Sequence, residues 1–84
     1  MDSNKILQQL NFIKYYILAN IAKPPYYYES IEELYLWVRD DVYKSEAELL
    51  IDWCLECKNI AFKIQLGELI FENNTDILTF LPKL

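Results

Sequence analysis

The sequence predicts a small α+β domain of three helices followed by an antiparallel β-hairpin. Three observations carry that expectation. Apolar residues recur at helical spacing through the amino-terminal part of the chain, the period shortens to strict alternation after Asn59, and the single glycine, Gly67, falls between that stretch and the apolar run Leu69-Ile70-Phe71. With 84 residues the chain is long enough for one compact domain and too short for two, so residues 1–84 are read as one unit.

The first helix begins near Ser3, a candidate N-cap. Its stripe is Ile6, Leu10, Ile13, Ile17 and Ile21, widened by Leu7, Phe12, Tyr16 and Leu18. Lys23-Pro24-Pro25 ends it, because neither proline offers an amide proton and each disfavours helix in the residue before it. Tyr26-Tyr27-Tyr28 is expected to be extended, at most a short strand. Ser30 and Glu33 form a capping box, each side chain accepting from an orphan amide, and start a second helix with Ile31, Leu34, Tyr35 and Val38 on one face. Asp40-Asp41 opposes the dipole at its carboxyl end.

Ser45-Glu46-Ala47-Glu48 repeats the box and opens a third helix expected to run to about Lys58, with Asn59 at the left-handed C′ position. Beyond it Ile60, Phe62, Ile64 and Leu66 point one way, and Gly67 turns the chain into Leu69-Ile70-Phe71. Asn73-Asn74-Thr75-Asp76 makes a second turn. Ile77 to Leu81 fits a third strand or a short terminal helix capped at Thr75 or Asp76.

That order of elements is the order of a winged helix. The stretch from Ser45 to Glu72 supplies a capped helix, the strand Ile60-Ala61-Phe62-Lys63-Ile64 and a turn into a second apolar strand. It resembles the third helix and wing that end PCI domains, the assembly modules of proteasome lid, signalosome and translation initiation factor subunits. The resemblance implies a winged-helix fold and an assembly role with no catalytic signature.

Charge narrows the function. Eight basic residues stand against thirteen acidic ones, a net −5, and there is no histidine. The imbalance is local: Glu29 to Glu56 holds nine acids against Arg39 and Lys44, a net −7, while the amino-terminal segment is slightly basic and the remainder neutral. In DNA-reading winged helices the third helix enters the major groove. Here a helical wheel places Leu50, Ile51 and Cys54 toward the core, and Leu49, Asp52, Trp53 and Glu56 on the opposite side. Phosphate contacts drive nonspecific DNA affinity, and on this face that contribution has the wrong sign. Leu49 and Trp53 are neighbours four apart. An apolar centre with an acidic rim suits a protein partner with a basic surface, so Leu49, Asp52, Trp53 and Glu56 are the candidate partner-binding residues. The competing reading buries Trp53 against a terminal strand.

Other motifs give less. Cys54-Leu55-Glu56-Cys57 lacks the further cysteines or histidines that a structural zinc site needs, and it sits late in a helix, where the dipole disfavours a reactive thiolate. Two packed small side chains explain it. Pro24-Pro25-Tyr26-Tyr27 matches a WW-domain ligand but lies between helices and reads as a structural break. The seven tyrosines lack the positive groove of a base-stacking platform. Glu32-Glu33 and Asp40-Asp41 are solvated helix ends, with no histidine to complete an acid–base pair.

The expectation is therefore a non-catalytic assembly module without metal or cofactor, acting through the third helix. It is read as intracellular, since the amino end carries no signal-peptide pattern and no stretch spans a membrane. A homodimer through Phe12, Tyr15, Tyr16 and Leu18 fits the same reading. A winged-helix DNA-binding regulator acting as a dimer is the alternative, and mimicry of a nucleic acid by the acidic block is a third.

Overall fold

A computed structural model describes residues 3–84 as four helices, with no strand among them. They are α1 (Ser3–Ala22), α2 (Ile31–Trp37), α3 (Lys44–Gln65) and α4 (Asn74–Phe80). The expected α+β winged helix is thereby overturned, and with it the resemblance to PCI winged helices, which rested on a hairpin wing. Residues 60–65 are the last turns of α3, not a strand.

The reason lies in a second periodicity that runs through the alternation. Ala47, Leu50, Cys54, Cys57 and Ile64 are buried, and Ala61 is half-buried between the last two. Those positions step by three and four, the repeat of a helix seam facing another helix. A strand would have gathered Ile60, Phe62, Ile64 and Leu66 on one face. The helix separates them instead, burying Ile64 while Phe62 and Leu66 stay exposed. An isolated two-stranded hairpin is marginal in water, whereas extending α3 continues an apolar seam already formed.

Gly67 is not a hairpin turn but the helix stop. At φ +81° it takes the left-handed C′ position, its N–H donating to the Ile64 carbonyl at 3.1 Å while the Glu68 N–H donates to Lys63 at 2.9 Å. This reciprocal pair is the Schellman motif, which satisfies carbonyls the helix end leaves free. Asn59, expected to end the helix, lies inside it.

Other boundaries moved by shorter distances. Ser30 caps α2 as its sequence predicts, accepting from the Glu33 N–H at 3.2 Å. The returning arm lands one residue early, Glu33 Oε2 accepting from the Glu29 N–H at 2.7 Å. No second box starts α3: Ser45 is inside the helix, Tyr43 stands at the cap position, and Asp40 Oδ1 accepts from the N–H groups of Val42 and Tyr43. Ser3 likewise lies within α1. The terminal segment takes its helical alternative, capped by Asn73, whose side chain accepts from the Asp76 N–H at 3.0 Å. Tyr26-Tyr27-Tyr28 is a tight reversal instead of a strand, with Tyr27 at φ 60° and the Tyr28 N–H donating back to Ile21.

α1 and α3 form the long axis of the molecule, whose extents are 45 × 22 × 18 Å. They run antiparallel: Gln9 reaches Phe71 beyond the end of α3, Tyr16 stacks on Trp53 in its middle, and Tyr28 beyond α1 bonds to Glu46 at its start. Ile13, Ile17 and Ile21 of α1 meet Leu50, Cys54, Cys57 and Ile64 of α3, and Leu34, Tyr28, Ile77 and Leu81 close the ends and flanks. Among the described residues no helix is long and apolar enough to cross a membrane.

Candidate functional site

Of the surface depressions that border α3, two bring together polar and aromatic side chains. The first holds all four residues singled out in the sequence. Leu49, Asp52, Trp53 and Glu56 line a groove of about 410 Å³, closed by Tyr26 on one side and by Lys83 and Leu84 of the carboxyl terminus on the other. Leu49 is 60 % exposed and both carboxylates are exposed, whereas Trp53 is only 6 % exposed.

Trp53 is therefore the floor of the groove and not a projecting anchor. Its indole N–H donates to the Pro82 carbonyl at 2.9 Å, and the Tyr16 hydroxyl donates to the same oxygen at 3.2 Å. The rings of Tyr16 and Trp53 pack with centroids 5.8 Å apart, and Lys83 Nζ sits 5.7 Å from the Tyr16 centroid. A wheel centred on Leu50, Ile51 and Cys54 puts Trp53 opposite the core, but the seam observed runs through Leu50, Cys54 and Cys57 and brings Trp53 to its flank. The carboxyl-terminal segment folds back over that side and buries the ring, much as the competing reading of Trp53 expected of a terminal strand.

The second depression was not legible as a site. It is a cavity of about 310 Å³ lined by Pro25, Tyr26, Tyr27, Tyr28, Glu33, Trp37, Tyr43 and Glu46. Trp37 and Tyr43 meet edge to face, 5.1 Å apart at 71°. The polar ends of the aromatic walls are tied to the two acids: Trp37 Nε1 donates to Glu33 Oε1 at 3.3 Å, and the Tyr28 hydroxyl to Glu46 Oε1 at 2.8 Å. Burial, together with the hydrogen bond to Glu46, pushes the Tyr28 hydroxyl up to about 12, so it remains a neutral donor. The sequence signal was the tyrosine run Tyr26-Tyr27-Tyr28 at the edge of the acidic block; the convergence of three separate segments was not visible there.

The remaining candidates fall into place as structure. Cys54 and Cys57 are free and buried in the α1–α3 seam, in the middle of α3 instead of its last turns. Burial pushes both thiols up, Cys57 to about 12 with further help from Cys54 and Glu56, the reverse of an activated thiolate. Among the described residues no group of three or more histidine, cysteine or acidic side chains is arranged to hold a metal. On α1, Phe12, Tyr16 and Leu18 pack against the core, so the apolar surface expected there shrinks chiefly to Tyr15, 69 % exposed. Comparison with protein-family models, with curated proteins and with solved structures finds no match.

Proposed function

We propose that this chain is a small acidic helical module that assembles with a protein partner along α3, without catalysis of its own. One observation carries the reading: Leu49, Asp52, Trp53 and Glu56 converge on a single groove in which an exposed leucine is bordered by two exposed carboxylates over an aromatic floor. Such a surface, apolar at its centre and charged at its rim, matches the anatomy of a protein interface. The net −7 carried between Glu29 and Glu56 favours a partner with a basic surface and speeds encounter with it. The same charge works against a nucleic acid on this face. Two free thiols agree with an intracellular, reducing compartment.

The test uses Leu49→Ala combined with Asp52→Lys and Glu56→Lys, three exposed positions whose change leaves the core untouched. A partner captured by the wild-type protein is purified and titrated against both forms at rising salt. The reading expects binding to fall at least about tenfold in the variant, with affinity declining as salt rises and an unchanged melting curve. Equal affinity for the variant would overturn it.

A further inference from the structure

We infer that the aromatic cavity between α2 and the start of α3 binds an alkylated ammonium group, the chemistry shared by a methylated lysine side chain and a choline-type head group. The site is distinct from the α3 groove, and the inference does not depend on that groove having a partner. Tyr28, Trp37 and Tyr43 supply walls from three segments of the chain, and the Trp37 and Tyr43 rings, inclined at 71° to one another, line two different sides of it. A cation placed over such faces is drawn by the ring quadrupole, most strongly at tryptophan.

Glu33 and Glu46 add a formal charge of −2, and no lysine or arginine lines the cavity. The donors that orient the two carboxylates, the Glu29 amide, the Trp37 indole and the Tyr28 hydroxyl, are all neutral. Among the described residues neither carboxylate is held by an ion pair, so the negative potential is positioned by neutral donors alone. An anion is repelled by this arrangement. An unmodified ammonium is strongly hydrated and gives up hydrogen bonds to water on entering, whereas an alkylated one has fewer or none to lose and gains apolar contact with the rings. The volume of about 310 Å³ lies at the small end of ligand clefts and suits a head group. Tyr26 lines both this cavity and the α3 groove, so a peptide leaving the cavity would run toward Asp52 and Glu56.

Heteronuclear NMR of the full chain, following the backbone amides of Tyr28, Glu33 and Glu46 that line the cavity and, where Trp37 is present, its indole N–H, tests the inference. Four probes are titrated: choline, its uncharged isostere with a tert-butyl group in place of trimethylammonium, a basic peptide carrying one trimethyllysine, and the same peptide unmodified. Saturable shifts are expected from choline or from the methylated peptide, or from both. The tighter of the two identifies the source as a small quaternary ammonium or a modified protein. Tyr43→Leu, at an exposed site, and Trp37→Leu, at a half-buried site packed against the core, should each weaken binding about tenfold and Glu46→Gln about threefold. Equal response to the uncharged isostere would overturn the inference. So would equal binding of the two peptides, silence of both cations at millimolar concentration, or wild-type affinity in a folded Trp37→Leu variant.

Discussion

The seam between α1 and α3 and the segment from Gly67 to Leu84 belong to one small fold but are held by different forces. In the seam, aliphatic side chains and two buried thiols interlock along the length of both helices. The carboxyl-terminal segment contributes only Ile77 and Leu81 as fully buried side chains. What fastens it is directional: Gln9 Nε2 donates to the Phe71 carbonyl at 2.8 Å, and Tyr16 and Trp53 both donate to Pro82. Non-directional burial scales with area and tolerates small adjustments, while a few hydrogen bonds fix one position and fail individually. The groove on α3 exists because the second kind of attachment places Lys83 and Leu84 beside Asp52 and Glu56.

The seam predicts the largest loss on substitution. Leu50 is fully buried against α1, and Leu50→Ala should lower unfolding free energy by about 3 kcal/mol, through lost transfer energy and the cavity left behind. Chemical denaturation followed by circular dichroism measures it. A loss below about 1 kcal/mol, typical of a surface site, would mean that the seam is not the dominant contact.

A smaller and more local effect is expected at the attachment. Trp53→Phe keeps an aromatic ring against Tyr16 and removes the N–H that reaches Pro82, at a cost of about 1–2 kcal/mol. Hydrogen exchange should show protection falling in α4 and at Leu81 while the middle of α1 is unchanged, the signature of a segment that opens on its own. Uniform loss of protection across α1 and α4 would instead make the segment part of a single cooperative unit, and would erase the contrast between the two regions.

The same contrast explains what was legible. Elements bounded by local chemistry were visible from residues alone: the isoleucine stripe of α1, the proline stop, the Ser30 cap and the existence of a terminal element after Asn73. Whatever depended on distant partners was not. Trp53 is apolar and flanks the seam by spacing, yet its burial requires a segment 29 residues away in sequence. The Tyr28, Trp37 and Tyr43 walls are separated along the chain and meet only because α2 packs on α3. For residues 60–66 two periods overlapped. Alternation and the three-four repeat share Ile64, and the repeat prevails because Cys57 and Ala61 continue it toward α1.

Gly67 carries the smallest predicted effect and separates those two readings most cleanly. Both a hairpin turn and a Schellman stop require a residue at positive φ, so the glycine itself could not distinguish them. Its surroundings do, because an ideal Cβ built at Gly67 meets no atom within 4 Å. Gly67→Ala therefore costs only the backbone strain of a left-handed alanine, about 1 kcal/mol, with no steric addition. Asparagine tolerates that conformation better, so Gly67→Asn should recover part of the loss. The amides of Gly67 and Glu68, bonded to Ile64 and Lys63, should lose protection in Gly67→Ala ahead of any amide in the middle of α3. If Ile60 to Leu66 paired as a strand, the weakened positions would instead alternate along that stretch and be matched in Leu69 to Phe71. Fraying confined to the last turn of α3 is the expected pattern, since a helix loses its terminal hydrogen bonds first and its seam last.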